Sequence, residues 1–292
     1  MIQPADLVHN QFVAKAPLRE WKAALELQFG VSAARTKLVR AKHSGPLRVQ
    51  RPFYPEGDCC HLYVLHPPGG IAPGDRLQID IALDSGSHAL LATPSAGKVY
   101  TSDAQRSKQR QAVHAVLRSE SCLEWLPQET IVFSGANVQL ETRFDLHGDA
   151  KLAGWDMVCL GRRAHGEQFL QGDCVQLIEI NRCGKPLMRE RMHWQGGGDM
   201  LRAPWGMAGQ VVSGTLFATV DASRQQLDDW RAGLENLGLP GEWGISQKPG
   251  ILLARFLGQS AAQGRRGFEY LWTCLRPLLN NRVACPPRIW NT

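Results

Sequence analysis

The residues best equipped for chemistry lie in the run His61-Leu-Tyr-Val-Leu-His66-Pro-Pro-Gly-Gly70-Ile-Ala-Pro-Gly-Asp75-Arg76-Leu77, preceded by Asp58-Cys59-Cys60. Imidazole, thiolate and carboxylate are the donors that hold divalent metals. Spacing argues against a simple chelate. An extended backbone sends alternate side chains to opposite faces, so positions 59, 61, 63 and 65 share one face and 60, 62, 64 and 66 the other. His61 and His66 then point apart unless the Pro67 corner turns His66 back. As local structure, the run is an apolar strand stopped by Pro-Pro-Gly-Gly and restarted by Pro-Gly-Asp, with His66, Asp75 and Arg76 around a stiff corner. A metal-dependent hydrolase built on His66 and Asp75 needs a third ligand meeting them in a compact pocket.

Three other loops carry polar groups. Thr93-Pro-Ser-Ala-Gly-Lys98 resembles a phosphate loop, but Ala92 stands where the first Gly belongs and Val99 follows Lys98, so a turn between strands is the better reading. Glu129 sits between a proline break at Pro127 and the β-branched run Thr130-Ile-Val132, and Glu167 closes the Gly-bounded loop Gly161-Arg-Arg-Ala-His-Gly-Glu167. Each carboxylate, taken alone, reads as a solvated loop charge. Hydrolase-elbow, zincin and dinucleotide motifs are absent, and no nucleophile is assembled with its base.

The elements that must position these residues are mostly strands. Trp21 to Phe29, Leu77 to Leu83 and Val138 to Leu146 alternate apolar and polar residues, the habit of sheets with one face on a core and one in water. Pro55-Glu-Gly-Asp58, Asp84-Ser-Gly86 and His147-Gly-Asp149 punctuate them. Two helices are predicted near the C-terminus. Ser223-Arg-Gln-Gln226 is a capping box opening a helix with Leu227, Trp230, Leu234 and Leu237 on one face, ended by Gly238 and Pro240. Ser260-Ala-Ala-Gln263 opens the second, which carries Phe268, Leu271, Trp272, Leu275 and Leu279, with Pro277 disturbing its last turn. Gly244 to Gly250 reads as a loop and Ile251 to Leu257 as a strand. The expectation is a mostly β body with a short helical cap.

The 292 residues carry 33 Lys and Arg against 27 Asp and Glu, a net charge of +6. That mild excess permits anionic partners and selects none. A basic β-rich nucleic-acid binder would interleave exposed aromatics with Lys and Arg on one sheet face, and Trp230 and Trp272 are already placed on helix core faces. The first residues lack a basic segment followed by an apolar one, and no stretch approaches the ~20 apolar residues of a membrane helix; a cytoplasmic location is the default expectation. None of the 8 cysteines stands in Cys-x-x-Cys spacing, and buried reduced thiols are expected for most.

Together, His66-Pro-Pro-Gly-Gly-Ile-Ala-Pro-Gly-Asp-Arg-Leu77, Thr93-Pro-Ser-Ala-Gly-Lys-Val-Tyr100, Leu123-Glu-Trp-Leu-Pro-Gln-Glu-Thr-Ile-Val-Phe133 and Gly154-Trp…Gly161-Arg-Arg-Ala-His-Gly-Glu167 resemble, in order and spacing, the urease accessory protein UreD (UreH) family. The terminal Pro287-Arg-Ile-Trp290 resembles its proteobacterial members, and the likeness runs from Trp21 to the C-terminus. Ala72-Pro73 and Ala96-Gly97-Lys98 depart from the family pattern, both at turns. The resemblance implies a single domain over residues 1–292, with the first roughly 20 residues poorly ordered. Its implied fold is mainly β: elongated stacked sheets with β-helical character and two α-helices near the C-terminus. It implies no enzyme activity but a scaffold in nickel insertion, acting with UreF-type and UreG-type accessory proteins, the latter a GTPase, on apo-urease. Neither a nucleic-acid nor a membrane partner is implied, and nickel(II) is expected only in transit, with no tightly bound cofactor. The loops that carry the likeness also carry the expected weak nickel contacts, His66, Asp75, Glu129 and Glu167, with Ser95, Lys98 and Tyr100 lining the path. Such contacts suit transit, because a converged four-ligand cage would trap the ion. For Asp75 the competing expectation is a turn-capping role.

Overall fold

The computed structural model describes residues 20–291; the expectation for the first residues of the chain lies outside them. The elements in chain order are β1 (Lys22–Ser32), β2 (Arg35–Ser44), β3 (Arg48–Val49), β4 (Cys60–Leu65), β5 (Arg76–Leu83), β6 (His88–Ala92), β7 (Gly97–Val99), β8 (Gln109–Leu117), β9 (Cys122–Leu126), β10 (Thr130–Val132), β11 (Asn137–Leu146), β12 (Lys151–Leu160), β13 (Asp173–Arg182), β14 (Lys185–Gln195), the one-turn α1 (Asp199–Arg202), β15 (Val212–Ala218), α2 (Arg224–Asn236), β16 (Glu242–Lys248), β17 (Ile251–Gly258) and α3 (Ala261–Asn280).

Strand pairing explains the alternation in the sequence. An outer sheet runs β14-β13-β11-β8-β5-β1-β2, and a central sheet runs β16-β17-β15-β12-β9-β6-β4-β3, with β7 and β10 attached beside β12. From β4 to β13 the chain passes back and forth between them, giving a strand to the central sheet and then one to the outer sheet. Neighbours from successive passes are parallel, as in β5-β8, β8-β11, β4-β6 and β6-β9. This winding is the expected β-helical character, closed at the edges by antiparallel partners such as β2 and β14.

The outer sheet meets the core on one face only. In β5 every second residue, Leu77 through Leu83, is buried while those between are not. The central sheet is covered on both faces, so β6 (His-Ala-Leu-Leu-Ala) and β9 (Cys-Leu-Glu-Trp-Leu) are buried at every position. Strands covered on both faces read as continuous apolar runs. One core, with Leu25, Phe29, Ile81, Phe144 and Trp194, fills the space between the sheets. A second, with Trp155, Phe268, Leu271 and Trp272, joins the far face of the central sheet to α2 and α3. Fully burying side chains of this size contributes about 1.5–3 kcal/mol each.

Both long helices form where the sequence places them, and α1 is an additional single turn. Ser223 caps α2 by accepting from the Gln226 N–H at 3.2 Å, and the Gln226 side chain accepts from the Ser223 N–H at 2.8 Å. Pro277 does not end α3, because the helix runs on to Asn280 and is stopped by Asn281 in the left-handed region (φ 58°). The segment expected as a loop, Gly244 to Gly250, is instead mostly β16, which pairs antiparallel with β17 along Glu242 to Lys248. Its Gly, Ser, Gln and Lys residues hide the period of an edge strand whose inward contacts are Trp243 and Ile245. Among the described residues no helix is long and apolar enough to cross a membrane.

Candidate functional site

Between the two sheets lies a cavity of about 440 Å³. Its mouth is the corner His66-Pro67 with the loop from Thr93 to Lys98, and its walls are Leu77, Ile79 and Val113 from the outer sheet against Trp125 and Thr130 from the central one. Its inner end is polar, formed by Gln111, Thr142 and Asp156. The Thr142 hydroxyl donates to Asp156 Oδ2 across the gap at 2.9 Å. Burial pushes the Asp156 carboxyl above the usual carboxylate range, and the Thr142 bond opposes this only in part. Beyond it, polar groups continue between the sheets. Thr215 pairs with Asp156 in the ladder and donates to Glu190 Oε1 at 2.7 Å. Glu190 then accepts from the half-exposed Arg255 at 2.5 and 2.9 Å.

The sequence-predicted residues divide between this cavity and its surroundings. His66 lines the mouth, on the opposite face of the strand from the buried His61, as the alternation requires. Burial lowers the His66 pKa and nearby Asp75 pulls it partly back. Asp75 is itself buried and closes its own turn: Oδ2 accepts from Ala72 N–H at 2.9 Å, and the Asp75 N–H donates to Ala72 O at 3.0 Å. Its Oδ1 has no partner. Ser95 and Lys98 line the mouth as well. Glu129, flanked by the lining residues Gln128 and Thr130, is turned away from the cavity and toward Cys159, whose thiol is raised by burial and by that charge. Glu167 staples its own loop, accepting from Ser134 N–H at 2.6 Å and from Arg162 Nε at 2.5 Å. Tyr100 packs edge-on to Phe133 at 5.3 Å, with the Arg162 guanidinium 4.4 Å from the Phe133 centroid. The mouth therefore gathers His66, Ser95 and Lys98, with Asp75 behind it near His66, and not Glu129, Glu167 or Tyr100.

A second polar cluster, which joins His61 to charged residues the sequence did not single out, lies on the other face of the central sheet beneath α3. Arg276 is fully buried there. Its guanidinium donates to Glu124 at 3.0 Å, to Glu56 at 2.7 Å and to the Val283 carbonyl at 2.6 Å. Glu124 also accepts from Trp272 Nε1 at 2.6 Å and pairs with His88 at 2.8 Å, and Glu56 pairs with His61 at 2.6 Å. Burial opposes charge on Glu56, but its bonds to His61 and Arg276 outweigh it and hold the carboxyl at about 2. His88, for all its burial, is held well above its ordinary value by Cys122, Cys59 and Glu124. One signal was present in the sequence: a carboxylate in an otherwise apolar strand, Glu124 in β9 and likewise Asp156 in β12, has to be satisfied from across a layer.

A pH dependence follows. Glu56 ionises more readily folded than unfolded, so its contribution is complete above pH 4.5 and is lost as pH falls toward 2. We expect urea midpoints to fall over that window, by no more than about 2–3 kcal/mol from this group, and Glu56→Gln to flatten the decline. An unchanged acid limb in that variant would remove Glu56 from the account.

Among the described residues, the groupings that could hold a metal are Glu56 with Cys59 and His61, and Cys59 with His88 and Glu124. Neither contains His66 or Asp75, so the third ligand a hydrolase there would need is not supplied.

Comparison with known proteins finds similar sequences over nearly the whole chain. The family model described as UreD urease accessory protein matches residues 22–291. The chain is 46% identical over 280 residues to the urease accessory protein UreD of Saccharophagus degradans, covering 95% of each chain. It is 45% identical over 273 residues to that of Pseudomonas fluorescens, covering 93% of this chain and 95% of the relative. With the protein of Methylobacillus flagellatus identity is 40% over 288 residues, covering 98% and 100%. On a match of this extent, the chain belongs to the UreD urease accessory protein family.

Proposed function

We propose that this protein is a non-catalytic scaffold of urease maturation. In this reading it acts in the cytoplasm with a UreF-type protein and a UreG-type GTPase, and helps pass nickel(II) into apo-urease. The observation that carries the proposal is the polar-ended cavity between the sheets. A hydrated divalent ion cannot cross an apolar core, because dehydration without replacement ligands is prohibitive. Here it would meet the His66 imidazole at the mouth, with the unpartnered Asp75 Oδ1 nearby, and then the oxygens of Thr142 and Asp156. Such oxygens and a lone imidazole bind nickel far less tightly than a closed cage, which is what release to a client requires. The row Thr215, Glu190 and Arg255 continues the polar groups toward the opposite edge. Glu129, Glu167 and Tyr100 stand outside this path.

The test uses the chain co-expressed with the urease structural and accessory genes, reading nickel per urease active site and recovery of the accessory complex. Asp156→Leu is expected to leave the complex intact and lower urease nickel and activity at least 10-fold. Asp156→Asn, which keeps the Thr142 bond, is expected to lower them less. Full nickel loading in Asp156→Leu would sink the proposed route. Asp75→Ala is the poorer probe, since it removes the turn bond to Ala72, worth roughly 1 kcal/mol.

A further inference from the structure

We propose that the free edge of β2 is a docking strand for an acidic, extended segment of a partner protein, taken on by strand addition to the outer sheet. Charge distribution points to this edge first. From Leu27 to Pro55 the chain has six Lys and Arg and no Asp or Glu, while outside that stretch 27 Lys and Arg balance 27 Asp and Glu. The net positive charge of the molecule is therefore concentrated on β2 and the segment that follows it. Register then aligns it. Arg35, Lys37, Arg40 and Lys42 stand opposite Ser32, Gly30, Gln28 and Glu26 of β1, so all four cations share the solvent face of the sheet. The bulge beside Gln28 and Phe29 is what keeps Lys37 and Arg40, three residues apart, on that same face.

The edge is open. The outer sheet ends at β2. The Thr36 N–H donates to the Asp58 carbonyl at 3.0 Å. From Val39 to Ser44, among the described residues, no main-chain hydrogen bond reaches beyond β1, and every residue is exposed. Arg40 and Lys42 share the single carboxylate of Glu26 at 3.1 and 3.9 Å, in solvent, where such pairs are weak and readily exchanged. Arg35 lies over the Tyr54 ring at 4.5 Å, and among the described residues neither it nor Lys37 has a carboxylate partner. Cations on a sheet edge deter pairing with a like edge, which rejects a second copy of β2. The same row favours a strand of opposite charge. None of the eight residues in the row is aromatic, so the stacking platform that single-stranded nucleic acid uses is missing. An added strand brings its same-face side chains within about 5 Å of those of β2, so the segment that fits carries Asp or Glu at alternate positions. The other edge of this sheet, β14, opens with Lys185-Pro186 and sets Glu190 between Arg189 and Arg191, so it offers neither a full ladder nor one sign of charge.

The full-length chain is titrated into a short fluorescein-labelled peptide that alternates Glu and Val, and into a second peptide of the same composition with its Glu residues in one block. Anisotropy is expected to show binding of the alternating peptide, at least 10-fold weaker at 300 mM than at 50 mM salt, and little binding of the blocked one. The bound peptide should slow hydrogen exchange of the amides between Val39 and Ser44. Arg35→Ser with Lys37→Ser should weaken binding at least 10-fold. Arg224→Ser with Lys248→Ser removes the same charge from exposed positions elsewhere and should change it little. If the first double variant does not fold, the exchange map of the wild-type chain decides alone. No binding at 50 mM salt, equal binding of the blocked peptide, equal loss in the two double variants, or protection that leaves Val39 to Ser44 untouched would overturn the docking strand.

Discussion

Arg276→Met is expected to destabilise the protein by roughly 3–5 kcal/mol, the cost of removing one partner from a buried ion network. Arg276 and Glu124 are fully buried and Glu56 nearly so. Methionine matches the bulk of the arginine stem but supplies no donor. Two carboxylates would then remain in a dry layer with only His61, His88, Trp272 and Asn280 to satisfy them. Unpaired buried charge is avoided by taking up protons, so the loss should be largest at neutral pH and shrink in acid. Removing the carboxylates as well, in Arg276→Met with Glu124→Leu and Glu56→Leu, should recover much of the stability, because a well-packed apolar replacement of a buried ion cluster is often neutral or better. Urea midpoints of the single and triple variants check both statements. A loss below about 1 kcal/mol in the single variant would mean that the guanidinium is not what holds α3 down. The network also matters for the cavity, because Arg276 ties α3 to β9, the strand that carries Trp125 on its opposite face.

Which parts of this arrangement the sequence reveals follows from how far apart the interacting residues stand. Alternation in β1, β5 and β11 is visible because one face of the outer sheet is wet, and that face supplies the polar half of the pattern. The same period of two, applied to the run from Cys59 to His66, sends His61 and His66 to opposite faces. The Ser223 and Gln226 capping box is equally local. Glu124 and Arg276 stand 152 residues apart, and nothing near either one announces the other. Asp156 and Thr142 meet across two sheets, so the inner end of the cavity is hidden although its mouth, built of adjacent turns, is legible. Glu129 and Glu167 show the converse. Both sit on loops that mark the family, yet one faces away from the cavity and the other is spent on stapling its own loop. Position on a marked loop fixes a residue's neighbourhood and leaves its direction open.

Filling the cavity without touching any polar group should separate transit from assembly most cleanly. Val113 lies at the centre of the outer-sheet wall, 3% exposed and paired in the ladder with Ile79 on one side and Thr142 on the other. Val113→Phe puts a ring into the 440 Å³ space in front of Asp156. Overpacking a filled core costs about 1–3 kcal/mol, but here the ring enters existing space and the fold should bear it. With the accessory complex recovered at normal yield, urease nickel and activity are expected to fall at least 10-fold. Val113→Ala widens the same passage for about 1–2 kcal/mol of lost packing and should leave activation near normal. The pair decides the route because both variants perturb the same wall while only one obstructs it. If Val113→Phe activates urease as well as Val113→Ala does, nickel reaches the enzyme without passing between these sheets, and the polar row from Asp156 to Arg255 is a structural seam.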